Sequence, residues 1–109
     1  MSASFKIPTF EIERRIGHLQ KNMQQTDIDA LLIVQRVDLL YFSGTAQNGF
    51  LYIPEQGDPL LLVKRYAPRA REESSIAHIM EIASPKEVPG RILDVYGRLP
   101  HTLGLELDV

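Results

Sequence analysis

Residues 30–34, Ala-Leu-Leu-Ile-Val, form a short apolar run with no polar alternation, the pattern of a strand buried on both faces. Apolar runs recur at 39–42, ended by Ser43-Gly44, at 50–53, introduced by Gly49, and at 60–63, after Pro54, Gly57 and Pro59. Runs of this length separated by turn-rich pieces predict the core strands of one sheet. The period changes upstream. Ile12, Ile16, Leu19 and Met23 fall at i, i+4, i+7 and i+11 and make one apolar stripe, with Arg14, Gly17, Lys21 and Gln24 opposite. That spacing predicts an amphipathic helix lying on a sheet face. Thr9 is its expected cap, and Glu11 and Glu13 stand where the helix dipole favours negative charge.

Downstream of Lys64-Arg65-Tyr66, residues 68–75 are charged and predict a short helix or turn, and 76–82 return to strand character. Ser84-Pro85-Lys86-Glu87 has the spacing of a capping box with proline at the first helical position. Pro89 removes a backbone donor, which sets the start of the firm helix near that residue. Ile92, Val95, Tyr96 and Leu99 are the expected buried stripe of this helix, and Pro100 its expected stop. Residues 102–109 alternate Leu103, Leu105 and Leu107 with Gly104, Glu106 and Asp108, as a half-buried strand does. Ending on a strand with no closing helix, the chain is expected to be part of something longer.

Composition narrows the functional classes. A chain of 109 residues is one domain, large enough to bury roughly two-thirds of its unfolded surface without staples. There are no cysteines, which excludes a disulfide framework and a thiolate metal site. A net charge of −2 gives no electrostatic footprint for nucleic acid or an anionic membrane. No apolar stretch approaches the ~20 residues that span a bilayer, and the N-terminus lacks the layout of a secretory signal. A soluble cytoplasmic protein is the expectation.

Candidate chemistry is sparse. His18, His78 and His101 are far apart and none has a ligand-like partner at i+4, so all three are expected at the solvated surface. Glu72 and Glu73 followed by His78 come nearest to a metal cluster, but adjacent glutamates diverge on a helix, and a solvated face is expected there. No serine sits in a nucleophile elbow, and Ser43 is expected to serve the turn that ends a strand. Gly44-Thr-Ala-Gln-Asn-Gly49 has the glycine spacing of half a phosphate loop, yet Phe50-Leu51 replaces the Lys-Ser/Thr that must follow. Lys64, Arg65, Arg69 and Arg71 form a basic patch that Glu72 and Glu73 half offset, without interleaved aromatics for nucleic acid. Arg65 follows a buried strand, where its planar fork suits a carboxylate or carbonyl.

The order of these segments resembles a known family. An amphipathic helix leads into Asp-Ala-Leu-Leu-Ile-Val, then Arg36-Val37-Asp38-Leu39-Leu40-Tyr41-Phe42-Ser43-Gly44, then Phe50-Leu51-Tyr52-Ile53. Leu60-Leu61-Leu62-Val63-Lys64-Arg65-Tyr66 and Leu103-Gly104-Leu105-Glu106 follow. Together they resemble the N-terminal domain of the creatinase, prolidase and Xaa-Pro aminopeptidase family. Residues 38–44 resemble that family's "Asn/Asp-hydrophobic-Tyr-Tyr-Leu/Phe-Ser/Thr-Gly" turn.

The resemblance implies a three-layer α/β/α domain with a mixed, ribonuclease-H-like sheet over residues 1–109. It implies a parent enzyme whose separate "pita-bread" domain holds two divalent ions, such as Mn or Co, through two Asp, one His and two Glu. The domain here is then non-catalytic, with no metal or cofactor of its own. It assists homodimer formation and leans over the partner's active site, restricting entry to short proline-containing peptides. Asp38, Tyr41, Gln47, Asn48 and Arg65, in or beside loops leaving the sheet, are the expected partner- or substrate-facing residues. A stand-alone binding or assembly module of the same fold, or the N-terminal domain of a creatinase-like amidinohydrolase, are the alternatives.

Overall fold

Three of the four apolar runs become strands β1 (Ala30–Ile33), β2 (Gly49–Pro54) and β3 (Leu60–Val63) of one mixed sheet. With β4 (His78–Glu81) and β5 (Leu103–Leu105) they line up in the order β4-β3-β2-β1-β5. The computed structural model describes residues 7–45, 48–64 and 67–105. β2 is antiparallel to both neighbours, with Leu32 opposite Tyr52 and Gly49 opposite Val63. The outer pairs are parallel, Leu61 beside Ile79 and Leu31 beside Gly104. Thus β1, β3, β4 and β5 run one way and β2 alone runs back.

Period-2 alternation divides these strands between two cores. On one face Ile33, Leu51, Ile53, Leu61, Val63 and Ile79 pack under Ile12, Ile16 and Met23 of α1 (Thr9–Gln25), Leu39 of α2 (Arg36–Ser43), and Ala67 and Ala70 of α3 (Ala67–Glu73). On the other, Ala30, Tyr52, Leu60, Leu62 and Ile82 meet Val88 and Ile92 of α4 (Val88–Tyr96). Helices on both faces of a mixed sheet give the three-layer α/β/α arrangement. Non-alternating runs such as 60–63, buried at every position, are what a doubly covered strand requires.

Four local expectations are corrected. The apolar run at 39–42 is helical, lying within α2. A run of four cannot separate strand from helix; the deciding signal is Gly44, whose left-handed φ of 87° and N–H to the Leu40 carbonyl close the helix. Thr9 does not cap α1: Pro8, with extended ψ, is the cap residue, and its carbonyl accepts from the Glu11 and Ile12 amides. Proline's fixed φ sets the entry one residue earlier. α4 stops at Gly97, again left-handed, rather than at Pro100, which leaves Leu99 outside the helix and half-exposed. The Ser84–Glu87 capping box forms as expected, but over a 3-10 turn, Pro85–Glu87, that feeds α4. Residues 106–109 of the final alternating stretch lie outside the described residues.

Candidate functional site

The loop from α2 to β2, singled out by sequence, must pass close to β3. A Cβ at Gly49 would lie 2.0 Å from the Leu62 carbonyl oxygen, so only glycine lets the two backbones meet there. The Lys64 amide then donates to the Asn48 carbonyl at 2.9 Å. Asn48 itself is exposed at this turn, and Asp38 is half-buried in the first turn of α2. Tyr41 lies one turn further along α2, where three-residue spacing puts it on the same side as Asp38. Gln47 and Arg65 lie outside the described residues.

Tyr41 is held from below by α1. The Arg15 guanidinium carbon sits 4.2 Å from the Tyr41 ring centroid, within cation–π range. Arg15 Nη1 donates to the Tyr41 carbonyl at 2.8 Å and Nε to Glu11 Oε2 at 3.0 Å. The Phe42 ring meets Tyr41 edge-on at 4.9 Å. Hydrogen bonding from Arg14, against some desolvation and with help from Arg15, holds the Glu11 carboxyl below its usual range. The i, i+4 spacing of Glu11 and Arg15 is a signal that could have found their pairing, but no spacing signals the reach to Tyr41.

Behind α2, three buried hydroxyls tie its end to the end of α3. Ser43 Oγ lies within reach of the Leu39 and Thr45 carbonyls, at 2.5 and 3.0 Å, and accepts from the Thr45 amide. Ser74 donates to the Ser43 carbonyl and accepts from the Ile76 amide at 3.1 Å. Thr45 Oγ1 donates to Glu73 Oε1 at 2.6 Å, and Arg69 Nε reaches the other Glu73 oxygen at 3.2 Å. Two expectations change here. Ser43 is a buried helix-end hydroxyl rather than the end of a strand, and Glu73 turns inward while Glu72 stays exposed.

At the opposite end of the sheet, on the α4 face, a cleft of about 600 Å³ opens between the end of β2 and the segment 98–101. Asp29, Tyr52, Glu55, Tyr96, Arg98 and His101 line it. Asp29 shapes the wall: its Oδ2 accepts from the His101 and Thr102 amides at 2.9 and 3.3 Å. The Tyr96 hydroxyl donates to the Asp58 carbonyl, and the Tyr96 ring packs 5.2 Å from that of Tyr52. Burial pushes both phenols above their usual range; at Tyr52 the Arg98 charge lowers it and Asp29 raises it.

His18, His78 and His101 are all exposed, and His78 lies 3.7 Å from Asp58. Among the described residues no group of three or more His, Cys, Asp or Glu is placed to hold a metal ion, so these residues do not fit a two-metal centre. No helix among them is long and apolar enough to cross a membrane.

Residues 15–109 match the family model described as the creatinase/prolidase N-terminal domain. Among solved structures, an Xaa-Pro aminopeptidase from Streptococcus thermophilus aligns at TM-score 0.74 and 22% identity, over 90% of this chain and 76% of that one. The prolidase from Pyrococcus furiosus aligns at TM-score 0.68 and 25% identity, over 83% of this chain and 26% of that one. The N-terminal domain of cytoplasmic peptidase PepQ from Mycobacterium tuberculosis H37Rv aligns at TM-score 0.72 and 24% identity, over 85% and 72%. No curated protein sequence matches significantly. The chain thus covers about a quarter of the Pyrococcus prolidase. With the family model matched over residues 15–109 and the same three-layer fold shared, the chain belongs to the creatinase/prolidase N-terminal domain family.

Proposed function

We propose that residues 1–109 form the non-catalytic N-terminal domain of a Xaa-Pro dipeptidase- or aminopeptidase-like metalloenzyme. In that enzyme the domain assists homodimer formation and restricts access to the catalytic domain, admitting short proline-containing peptides. The observation that carries this reading is the family match over residues 15–109. The names of the fold neighbours, Xaa-Pro aminopeptidase, prolidase and Xaa-Pro dipeptidase, support the reaction class. A neighbour named as a cytoplasmic peptidase supports a cytoplasmic setting.

In this reading the divalent ions of the parent, such as Mn or Co, are held by its catalytic domain. The partner-facing surface is the outer side of α2. Val37, Leu40 and Tyr41 are 78%, 46% and 48% exposed there and share one helix face at i, i+3 and i+4, beside Asp38 and Asn48. Such an apolar face is characteristic of an interaction surface.

The test has two arms. Purified chain supplied with Xaa-Pro dipeptides and Mn²⁺, Co²⁺ or Zn²⁺ is expected to release no proline; metal-dependent turnover would overturn the non-catalytic role. The coding sequence beyond residue 109 is expected to carry the five metal ligands, and a stop codon there would refute the parent enzyme.

A further inference from the structure

The two faces of the sheet are covered unequally. α1, α2 and α3 lie on one, whereas among the described residues α4 with its 3-10 entry turn is alone on the other. A helix is about 10 Å wide and strands lie about 4.8 Å apart, so α4 shields about two strands. It sits over β2 and β3, where Tyr52, Leu60 and Leu62 are buried in one cluster with Val88 and Ile92. Towards β5 the cover runs out. Leu103 pairs with Ala30 in the parallel ladder and so shares its face, yet it is 40% exposed. Leu32 and Phe50 on that face are half-buried, and Val34, next in the alternation of β1, is 42% exposed.

The sheet edges differ in the same sense. At β4, Arg71 Nη2 donates to the Ile79 carbonyl at 3.1 Å, and His78 and Glu81 place polar side chains along the strand; such devices blunt an edge. β5 pairs with β1 alone among the described residues. The Thr102 carbonyl turns to β1, accepting from the Asp29 and Ala30 amides. The Leu103 amide and carbonyl therefore turn outward and meet no partner among the described residues.

The crossovers already present fix which way a continuation turns. From β3 to β4 the chain takes a parallel step away from β5, and the connecting helix α3 packs on the α1 face. From β4 to β5 it steps back across the sheet, and the connecting helix α4 packs on the opposite face. Opposite directions with helices on opposite faces share one hand, and parallel crossovers are right-handed in about 98% of cases. A further step outward from β5 keeps the direction of the second, so its helix falls on the α4 face, over β5 and β1. That is where Leu103, Val34, Leu32 and Phe50 are left open.

On the reading that residues 1–109 belong to a longer enzyme, we propose that this bare strip and the outer edge of β5 dock the polypeptide that follows residue 109. It forms an amphipathic helix beside α4 and then a strand parallel to β5. The apolar stripe of that helix buries Leu103 and Val34, and the strand takes up the outward amide and carbonyl of Leu103. The PepQ N-terminal domain, of which this chain covers 72%, leaves room for one such unit.

The test is hydrogen exchange on residues 1–109 and on the same chain carrying the ~30 residues that follow, the length of a crossover unit. The Leu103 amide is expected to exchange at least about 100-fold more slowly in the longer chain. Leu103→Glu is expected to lower the melting temperature of 1–109 by less than about 4 °C, and that of the longer chain by at least twice as much. Val34→Glu repeats the comparison without touching β5. Equal exchange at Leu103 in the two chains, or equal melting losses, would overturn the docking surface. Protection of Leu103 in 1–109 that grows with concentration would assign the edge to a second copy and overturn it as well. A stop codon directly after residue 109 would remove the longer enzyme and this occupant together, whereas a longer chain that leaves Leu103 unprotected refutes the docking alone.

Discussion

The junction between α2 and α3 and the cleft beside α4 are both built from polar side chains, and they use them in opposite ways. At the junction Ser43, Thr45 and Ser74 are almost fully buried, and each hydroxyl has a partner. In the cleft the Tyr52 ring is buried while its hydroxyl stays open to the cavity and makes no hydrogen bond among the described residues. Satisfied buried networks fix a structure, whereas an open donor at a cavity wall is available to something else. The segment that sequence marked as the functional rim is thus anchored at its base by internal bonds.

Substitutions sharpen this contrast, beginning with the largest effect. Gly49→Val should cost more than ~3 kcal/mol, since its Cβ would meet the Leu62 carbonyl oxygen at 2.0 Å and overpacking alone costs about 1–3 kcal/mol. Urea unfolding should show that loss as a lower midpoint, and an unchanged midpoint would mean that β2 and β3 do not approach as described. Removing one hydroxyl at each place compares them directly. Ser74→Ala strips the Ser43 carbonyl and the Ile76 amide of their partner and should cost about 1–3 kcal/mol. Tyr52→Phe removes no hydrogen bond and should stay within about 0.5 kcal/mol of wild type. Equal losses from the two would erase the distinction.

A smaller effect depends on pH. Glu87 accepts from the Ala83 and Ser84 amides at 2.7 and 3.0 Å, and those bonds, outweighing desolvation and aided by Arg91, hold its carboxyl below the usual range. A depressed carboxylate stabilises the fold above its unfolded pKa, and that contribution fades as pH falls through the folded value. Wild type should therefore melt above Glu87→Gln at neutral pH, with the gap closing below about pH 4.3, the ordinary glutamate value. A gap that persists unchanged into acid would mean the capping contact is not made by the ionised form.

Much of the fold was legible along the chain, because its signals are local. The α1 stripe of Ile12, Ile16 and Met23 is buried as its spacing requires, with Leu19 packed against it. The run from 30 is a strand as far as Ile33, those at 50–53 and 60–63 are strands, and Ser84 and Glu87 cap reciprocally. The 39–42 run misled because four apolar residues fit either period, and Gly44 ends a helix as readily as a strand. The polar network was not legible for a different reason. Ser74 meets Ser43 across 31 positions, and Thr45 meets Glu73 across 28; no spacing rule connects hydroxyls so far apart. Tyr52 looked like one more apolar member of β2, and nothing in the alternation marked its hydroxyl as unpartnered.

Hydrogen exchange tests the contrast between the two regions most directly, because amide protection follows local stability. The amides of Thr45, Ser74 and Ile76, all hydrogen-bonded at the junction, should exchange only through global unfolding. Those of Arg98 and Leu99, which make no hydrogen bond among the described residues, should exchange orders of magnitude faster. Rapid exchange at Thr45 and Ile76, or protection at Arg98 and Leu99 in the free protein, would contradict a closed junction and an open cleft.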